Sequence, residues 1–234
     1  MRSVAFGVVA WAVVAGAAAA AAEQPPKART DRPGFEYGGA AESDSPPLPK
    51  DDREKQALAV LDEMSKGKWY LNVTTREGRV LRQLTETAGA KRVVEIGTSS
   101  GYSTIWLALG VRATGGRVIT HEVDPERIKI ARENFKKAGV DDLIEIIEGD
   151  AHQTVEQHKE PIDLLFLDAD KKGYVDYLEK LLPLVRPGGL VLGHDMHRPM
   201  PDPRYIEAIT KNPALETSFI MMESFGMSMT LKKR

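Results

Sequence analysis

The chain has 234 residues, 42% hydrophobic and 28% charged, with 20 Gly, 14 Pro and no Cys. That apolar share supports a packed core and excludes wholesale disorder, and at roughly 150 residues per domain the length allows one or two domains. The 32 basic and 34 acidic side chains leave a net charge of −2, which argues against electrostatic capture of nucleic acid, while the lack of Cys excludes disulfides, thiolate metal sites and Cys nucleophiles.

Arg2 precedes an uncharged stretch, residues 4–22, that closes on Ala20-Ala21-Ala22. A basic start, an apolar run and small residues at its end describe a secretory signal peptide, so export to the periplasm is expected. The same stretch is long enough to serve as an uncleaved membrane anchor, and a misplaced start would leave the protein cytoplasmic. Residues 23–50 hold six prolines and three glycines among scattered charges, the composition of a flexible linker. Residues 51–234 remain as one domain.

Within that domain, Leu58, Leu61 and Met64 give residues 53–66 a helical period, and Val80, Leu81 and Leu84 do the same for 77–88. Residues 92–96 (RVVEI) form a short β-branched run that stops at Gly97, as a buried strand does. A helix over 101–110 leads to a strand at 117–122. Asp124-Pro125 then supplies an N-cap and a first-turn proline for a helix carrying Ile128, Ala131, Phe135 and Ala138 on one face and ending at Gly139. The alternation continues with a strand at 143–147, a helix near 151–158, a strand at 162–167, a helix at 173–183 and a strand at 189–194. A short helix near 203–210 precedes two strand-like runs, 217–222 and 227–232, which read as a closing antiparallel hairpin. Strands separated by helices in this way imply an α/β fold: a doubly wound, mostly parallel, Rossmann-like sheet covered on both faces.

In such a sheet, ligands bind beyond the carboxyl ends of the strands. Each of the five parallel strands ends in a polar cluster: Glu95 to Ser103, then Glu122, then Gly149-Asp150-Ala151, then Asp168-Ala169-Asp170-Lys171, then His194-Asp195-Met196. The first has Gly97 and Gly101 but Ser99 between them, so it is not the dinucleotide G-x-G-x-x-G, whose middle glycine lets a pyrophosphate approach the backbone. Glu122 is placed to accept from both ribose hydroxyls, and a ribose without phosphates points to S-adenosylmethionine. The plainer alternative is a tight turn beside a surface glutamate. Asp168 and Asp195, at neighbouring strand ends, can converge on a hard cation, with Lys171 over the same spot as a general base. The plainer alternative there is two helix-capping aspartates and a solvated lysine.

In combination, VVEIGTSSGYST, HEVDPERIKIARENFKKAG, IEGDA, IDLLFLDADKKGYVDYL, LVRPGGLVLGHD and GMSMTLKKR resemble the S-adenosylmethionine-dependent O-methyltransferases of the caffeoyl-CoA and catechol type, over about 71–234. The resemblance implies a seven-stranded class I methyltransferase sheet with one antiparallel strand from the last hairpin. It implies that Glu95, Gly97, Ser99 and Ser103 line the methionine and ribose end of the cofactor site, that Glu122 binds the ribose, and that Asp150 and Ala151 border the adenine. It also implies that Asn72-Val73-Thr74 folds over the methionine portion. In that family a divalent cation, usually magnesium, is held by aspartates matching Asp168 and Asp195 and by an asparagine directly after the second, and a lysine matching Lys171 is the usual base. Homodimers are common in it.

The asparagine position here is Met196, a soft thioether that magnesium does not favour. His194 or His197 could substitute, two carboxylates and water could hold the ion weakly, or catalysis could proceed by positioning alone. His152 and His158 are expected on a helix surface, and Trp69 and Tyr70 in the core or against an aromatic acceptor. The reading favoured overall is transfer of a methyl group from S-adenosylmethionine to a hydroxyl of a small, phenolic or catechol-like acceptor, with Asp168 and Lys171 as catalytic groups and no nucleic-acid partner. Its rivals are a non-catalytic exported binding protein that keeps the fold and an NAD-type oxidoreductase. Export favours the first rival, because S-adenosylmethionine is made in the cytoplasm.

Overall fold

The strand-helix alternation condenses into one twisted sheet whose order, β3-β2-β1-β4-β5-β7-β6, reverses direction between β1 and β4. The computed structural model describes residues 45–67, 70, 72–197, 201–222 and 224–234, and one unit runs from Pro47 to Arg234. The signal-peptide reading and nearly all of the linker reading therefore fall outside the described residues, as does Trp69. Among the described residues no helix is long and apolar enough to cross a membrane.

Two helices, α1 (Asp52–Lys66) and α2 (Thr75–Thr87), precede β1 (Arg92–Ile96). The chain then alternates through α3 (Tyr102–Thr114), β2 (Arg117–Glu122), α4 (Pro125–Ala138), β3 (Ile144–Glu148), α5 (Ala151–Thr154), β4 (Ile162–Leu167), α6 (Tyr174–Leu181) and β5 (Val185–His194). It closes with α7 (Pro203–Lys211), β6 (Leu215–Ile220) and β7 (Met227–Lys232). Strands β1 to β5 pair in parallel, and β7 alone runs against its neighbours β5 and β6. The doubly wound sheet with an antiparallel closing pair is thus the one the alternation implies.

Strand side chains alternate faces, and the two cores divide accordingly. Val93, Leu164 and Phe166 pack with α1 to α4, whereas Val94, Leu165 and Leu167 pack with α6 and α7. The caps follow the sequence cues. Asp124 accepts from the backbone N–H groups of Glu126 and Arg127 at the start of α4, and Gly139 closes that helix in the left-handed conformation.

Several boundaries shift for identifiable reasons. Helix α3 runs on to Thr114 because its left-handed stop is Gly115, not the buried Gly110. Strand β5 begins at Val185, because Pro187-Gly188-Gly189 forms an irregularity within a paired strand rather than a turn before it. The 151–158 helix divides into α5 and a 3-10 turn at Val155–Gln157. Strand β6 ends at Ile220, two residues early, where Met221 takes a left-handed φ of 55°.

Helix α2 presses its backbone onto α3 at Gly78, where a Cβ would lie 2.2 Å from the Trp106 ring, a fully buried side chain. Alanine in place of glycine inside a helix ordinarily stabilises by about 1 kcal/mol. Here overpacking reverses the sign: Gly78→Ala is expected to lower the urea-unfolding free energy by about 1–3 kcal/mol.

Candidate active site

The carboxyl ends of the parallel strands open into a cleft of about 600 Å³. It straddles the point where the strand order reverses, the usual ligand position in a doubly wound sheet. Gly97 turns the chain out of β1 with φ of 102°, and a Cβ there would lie 2.5 Å from the Asp168 carbonyl oxygen, so only glycine lets these two strand ends close up. Ser99, also left-handed, presents its N–H to Glu122 Oε2 at 2.8 Å. Glu122 Oε1 accepts from the N–H groups of Val123 and Asp124, so its carboxylate is fixed at the end of β2.

Of the residues singled out from sequence, Val73, Gly97, Ser99, Ser103, Glu122, Asp150, Ala151, Asp168, Lys171 and Asp195 all line this one cleft. Glu95 does not. The β1 alternation turns it toward α3, beneath the cleft, where it is fully buried and accepts from the hydroxyls of Ser103, Thr104 and Thr120. Burial raises its carboxyl to about 7, against the pull of those three hydroxyls.

The second feature is a row of charges at one end of the cleft. Lys171 Nζ lies 2.9 Å from Asp168 Oδ1, 2.9 Å from Asp195 Oδ2 and 2.8 Å from the Tyr174 hydroxyl. Asp168 and Tyr174 accept directed hydrogen bonds from Nζ, while Asp195 faces it as an ion pair, so Lys171 bridges the ends of β4 and β5. The Tyr174 hydroxyl passes its own proton to the Leu167 carbonyl at 2.6 Å.

His194, at the end of β5, is buried against the same carboxylates: Nδ1 is 3.2 Å from Asp168 Oδ1 and 3.4 Å from Asp195 Oδ1. Its Nε2 is 3.2 Å from Glu77 Oε2, an ion-pair contact that is not aligned as a directed hydrogen bond. Burial alone would lower the imidazole, but Asp168, Glu77 and Asp195 lift it to about 10.

Glu77 was not singled out from sequence, although Thr74-x-x-Glu77 carries the capping-box pattern that could have found it. Its carboxylate accepts from the Thr74 N–H at 2.8 Å and the Ser224 hydroxyl at 2.7 Å as well as facing His194. Burial pushes the Glu77 carboxyl up, but His194, Ser224 and the Thr74 backbone bring it down to about 2. Two latches were also unforeseen: Ser99 Oγ donates to the Tyr70 carbonyl, and Ser100 Oγ to Asn72 Oδ1, tying the segment before α2 to the β1 turn.

The histidine expectation needs correcting. His158 is buried, not on a helix surface, because its Nε2 meets His121 Nε2 at 2.8 Å beneath the cleft. Burial holds both rings neutral, His121 down at about 3 and His158 at about 4. His152 is half-exposed and stacks on Tyr177.

The cleft fits a ligand with a ribose: it pairs a glycine cradle with a carboxylate held in place by three backbone donors. The charge row does not fit a divalent cation. The residue after Asp195 offers no ligand, since Met196 is buried in the apolar cluster with Tyr174 and Tyr205. Among the described residues, the one further His, Cys, Asp or Glu donor grouped with the two aspartates is His194. Both of its ring nitrogens face carboxylate oxygens, Nδ1 toward Asp168 and Asp195 and Nε2 toward Glu77.

The sequence profile of the O-methyltransferase family matches residues 50–196. A catechol O-methyltransferase of Niastella koreensis is 35% identical over 150 residues, 62% of this chain and 66% of that protein. One from Mycobacterium tuberculosis is 40% identical over 121 residues, 51% and 54% of the two chains. The chain thus spans between about half and two thirds of these curated relatives. Among solved structures, an O-methyltransferase from Bacillus cereus in complex with S-adenosylhomocysteine superposes with a TM-score of 0.67 at 32% identity, covering 80% of this chain and 93% of that one. An O-methyltransferase of Streptomyces achromogenes, bound to S-adenosylmethionine, superposes with a TM-score of 0.65 at 25% identity, covering 80% and 92%.

A depressed carboxyl stabilises the fold above its unfolded value and loses that contribution as pH falls toward its folded one. Glu77 is therefore expected to contribute fully above about pH 4.5 and progressively less down to about pH 2. Glu77→Gln should cost about 2–3 kcal/mol near pH 7 and flatten this acid limb, as read by urea unfolding across the pH range.

Proposed function

The chain belongs to the O-methyltransferase family, and from that premise we propose that it transfers a methyl group from S-adenosylmethionine to a hydroxyl of a small phenolic or catechol-like acceptor. The observation that carries this reading is the meeting, in one cleft, of the fixed Glu122 carboxylate and the Lys171–Asp195 pair. When bound, S-adenosylmethionine supplies an electrophilic methyl group on sulfonium and leaves as S-adenosylhomocysteine.

The protein's part is alignment and charge. Glu122 accepts from the ribose hydroxyls, while Gly97 and Ser99 present backbone to the nucleoside. Val73 and Asn72, latched through Ser100, cover the methionine portion. At the other end, Lys171 Nζ donates to the acceptor oxygen and Asp195 takes up the hydroxyl proton, which exposes an oxygen lone pair in line with the methyl group. Tyr70 and Phe225 border the cleft and offer apolar surface to a phenolic ring. Export by the 4–22 segment remains part of the proposal, tested by fractionation of the producing cells.

Calorimetric titration with S-adenosylhomocysteine should show binding to residues 47–234, weakened by about tenfold in Glu122→Gln, which gives up one carboxylate acceptor. Labelled S-adenosylmethionine should then yield methylated product from a catechol panel. A protein that binds no S-adenosylhomocysteine would sink the proposal.

A further inference from the structure

We infer that this chain's methyl-transfer centre works without a divalent cation, the Lys171 ammonium and the His194 ring occupying the place between Asp168 and Asp195 that a metal would need. The inference rests on the proposed activity for its meaning but on geometry for its support.

Three observations converge. First, the two carboxylates that could grip a hard cation are already bridged. Lys171 Nζ spans Asp168 Oδ1 and Asp195 Oδ2 at 2.9 Å each, and the Tyr174 hydroxyl at 2.8 Å holds it from a third side. Tyr174 is itself buried and anchored to the Leu167 carbonyl, so Lys171 is seated by the core rather than swinging in solvent.

Second, His194 Nδ1 lies within 3.4 Å of both aspartates, and its other nitrogen faces Glu77. Glu77 cannot retreat from it, because the same carboxylate closes the α2 capping box and receives Ser224. The ring is thus wedged among three carboxylates, with one directed hydrogen bond, between Nδ1 and Asp168, and with neither nitrogen turned away from them.

Third, the next position along the chain offers no ligand. Asp195 has a left-handed φ of 58°, Met196 gives its N–H to the Gly226 carbonyl at 3.1 Å, and its thioether is packed in the core. Magnesium prefers near-octahedral oxygen coordination, and this set offers it two aspartates that Lys171 already bridges.

In a centre of this kind, charge developing on the acceptor oxygen is met by a Lys171 N–H rather than by a metal. The proton released goes to Asp195, and no oxidant or further reactant is needed.

The experiment is Mn²⁺ binding to chelator-treated protein, followed by electron paramagnetic resonance and by thermal melting, in wild type, Lys171→Ala and Lys171→Met. Wild type is expected to bind no stoichiometric Mn²⁺. Both variants, with the bridging ammonium gone, should gain Mn²⁺ affinity by about tenfold or more and melt higher with the ion than without it. The methionine variant keeps the stem that packs beside Tyr174, so loss of folding in the alanine variant does not end the test. Stoichiometric Mn²⁺ on wild type, or no gain in either folded variant, would overturn the inference. So would a wild-type turnover that falls about tenfold or more with chelator. If wild type binds neither Mn²⁺ nor S-adenosylhomocysteine and the variants gain Mn²⁺, the proposed activity fails while the occupied carboxylate pair stands.

Discussion

The buried Glu77 carboxylate and the His194 ring stand at the centre of this molecule, because each would be intolerable without the other. Removing an isolated charge from water is costly, and neither side chain keeps appreciable exposure. The structure compensates by alternating signs along one row: Glu77, His194, the Asp168 and Asp195 pair, then Lys171. The row also joins distant parts of the chain. Glu77 sits at the start of α2, His194 at the end of β5, and Ser224 in the turn of the closing hairpin. The hairpin is thereby fastened to the helix that caps the segment bordering the cleft, and the wall and the charges of the site are set by the same carboxylate.

The sheet order does the rest of the positioning. Reversal between β1 and β4 leaves the Gly97 turn against Asp168, and placing β5 beside β4 brings Asp195 within reach of the same lysine. Position along β1 then separates two residues that look equivalent in sequence, Glu95 lying within the strand and Gly97 just past its end. Gly97 continues into the cleft, whereas Glu95 points at α3 and serves as an acceptor for Ser103, which itself lines the cleft. A glutamate one layer down can still shape the site through the hydroxyl it orients.

Much of this was legible in the sequence because period and punctuation agree locally. The β-branched run at 92–96 and the apolar run at 162–167 end on Gly97 and Asp168, and Asp124-Pro125 with Gly139 bracket α4 without ambiguity. Where the sequence misled, local and tertiary signals diverged. Pro187-Gly188-Gly189 has turn chemistry, yet β4 on one side and β7 on the other draw most of β5 into pairing. His158 follows a polar stretch and reads as surface, but its partner His121 lies on a strand 37 residues earlier. Glu77 and Ser224 are 147 residues apart, and no spacing rule connects them. The strand ends could be found one at a time, but the row of alternating charge exists only once the sheet has ordered them.

A site built on fixed monovalent charges also differs in selectivity from one built on an ion. A divalent cation can chelate two vicinal hydroxyls and so fixes both the class of acceptor and its orientation. A lysine–aspartate pair engages one hydroxyl: the ammonium donates to its oxygen and the carboxylate takes its proton. Orientation must then come from shape, and the surfaces available for it are the Tyr70 and Phe225 side of the cleft rather than the strand ends. Phe225 lies next to Ser224, the residue that Glu77 holds, and its ring centroid is 5.8 Å from that of His194. The contact that stabilises the buried charges therefore also places the apolar surface against which an acceptor ring would be oriented.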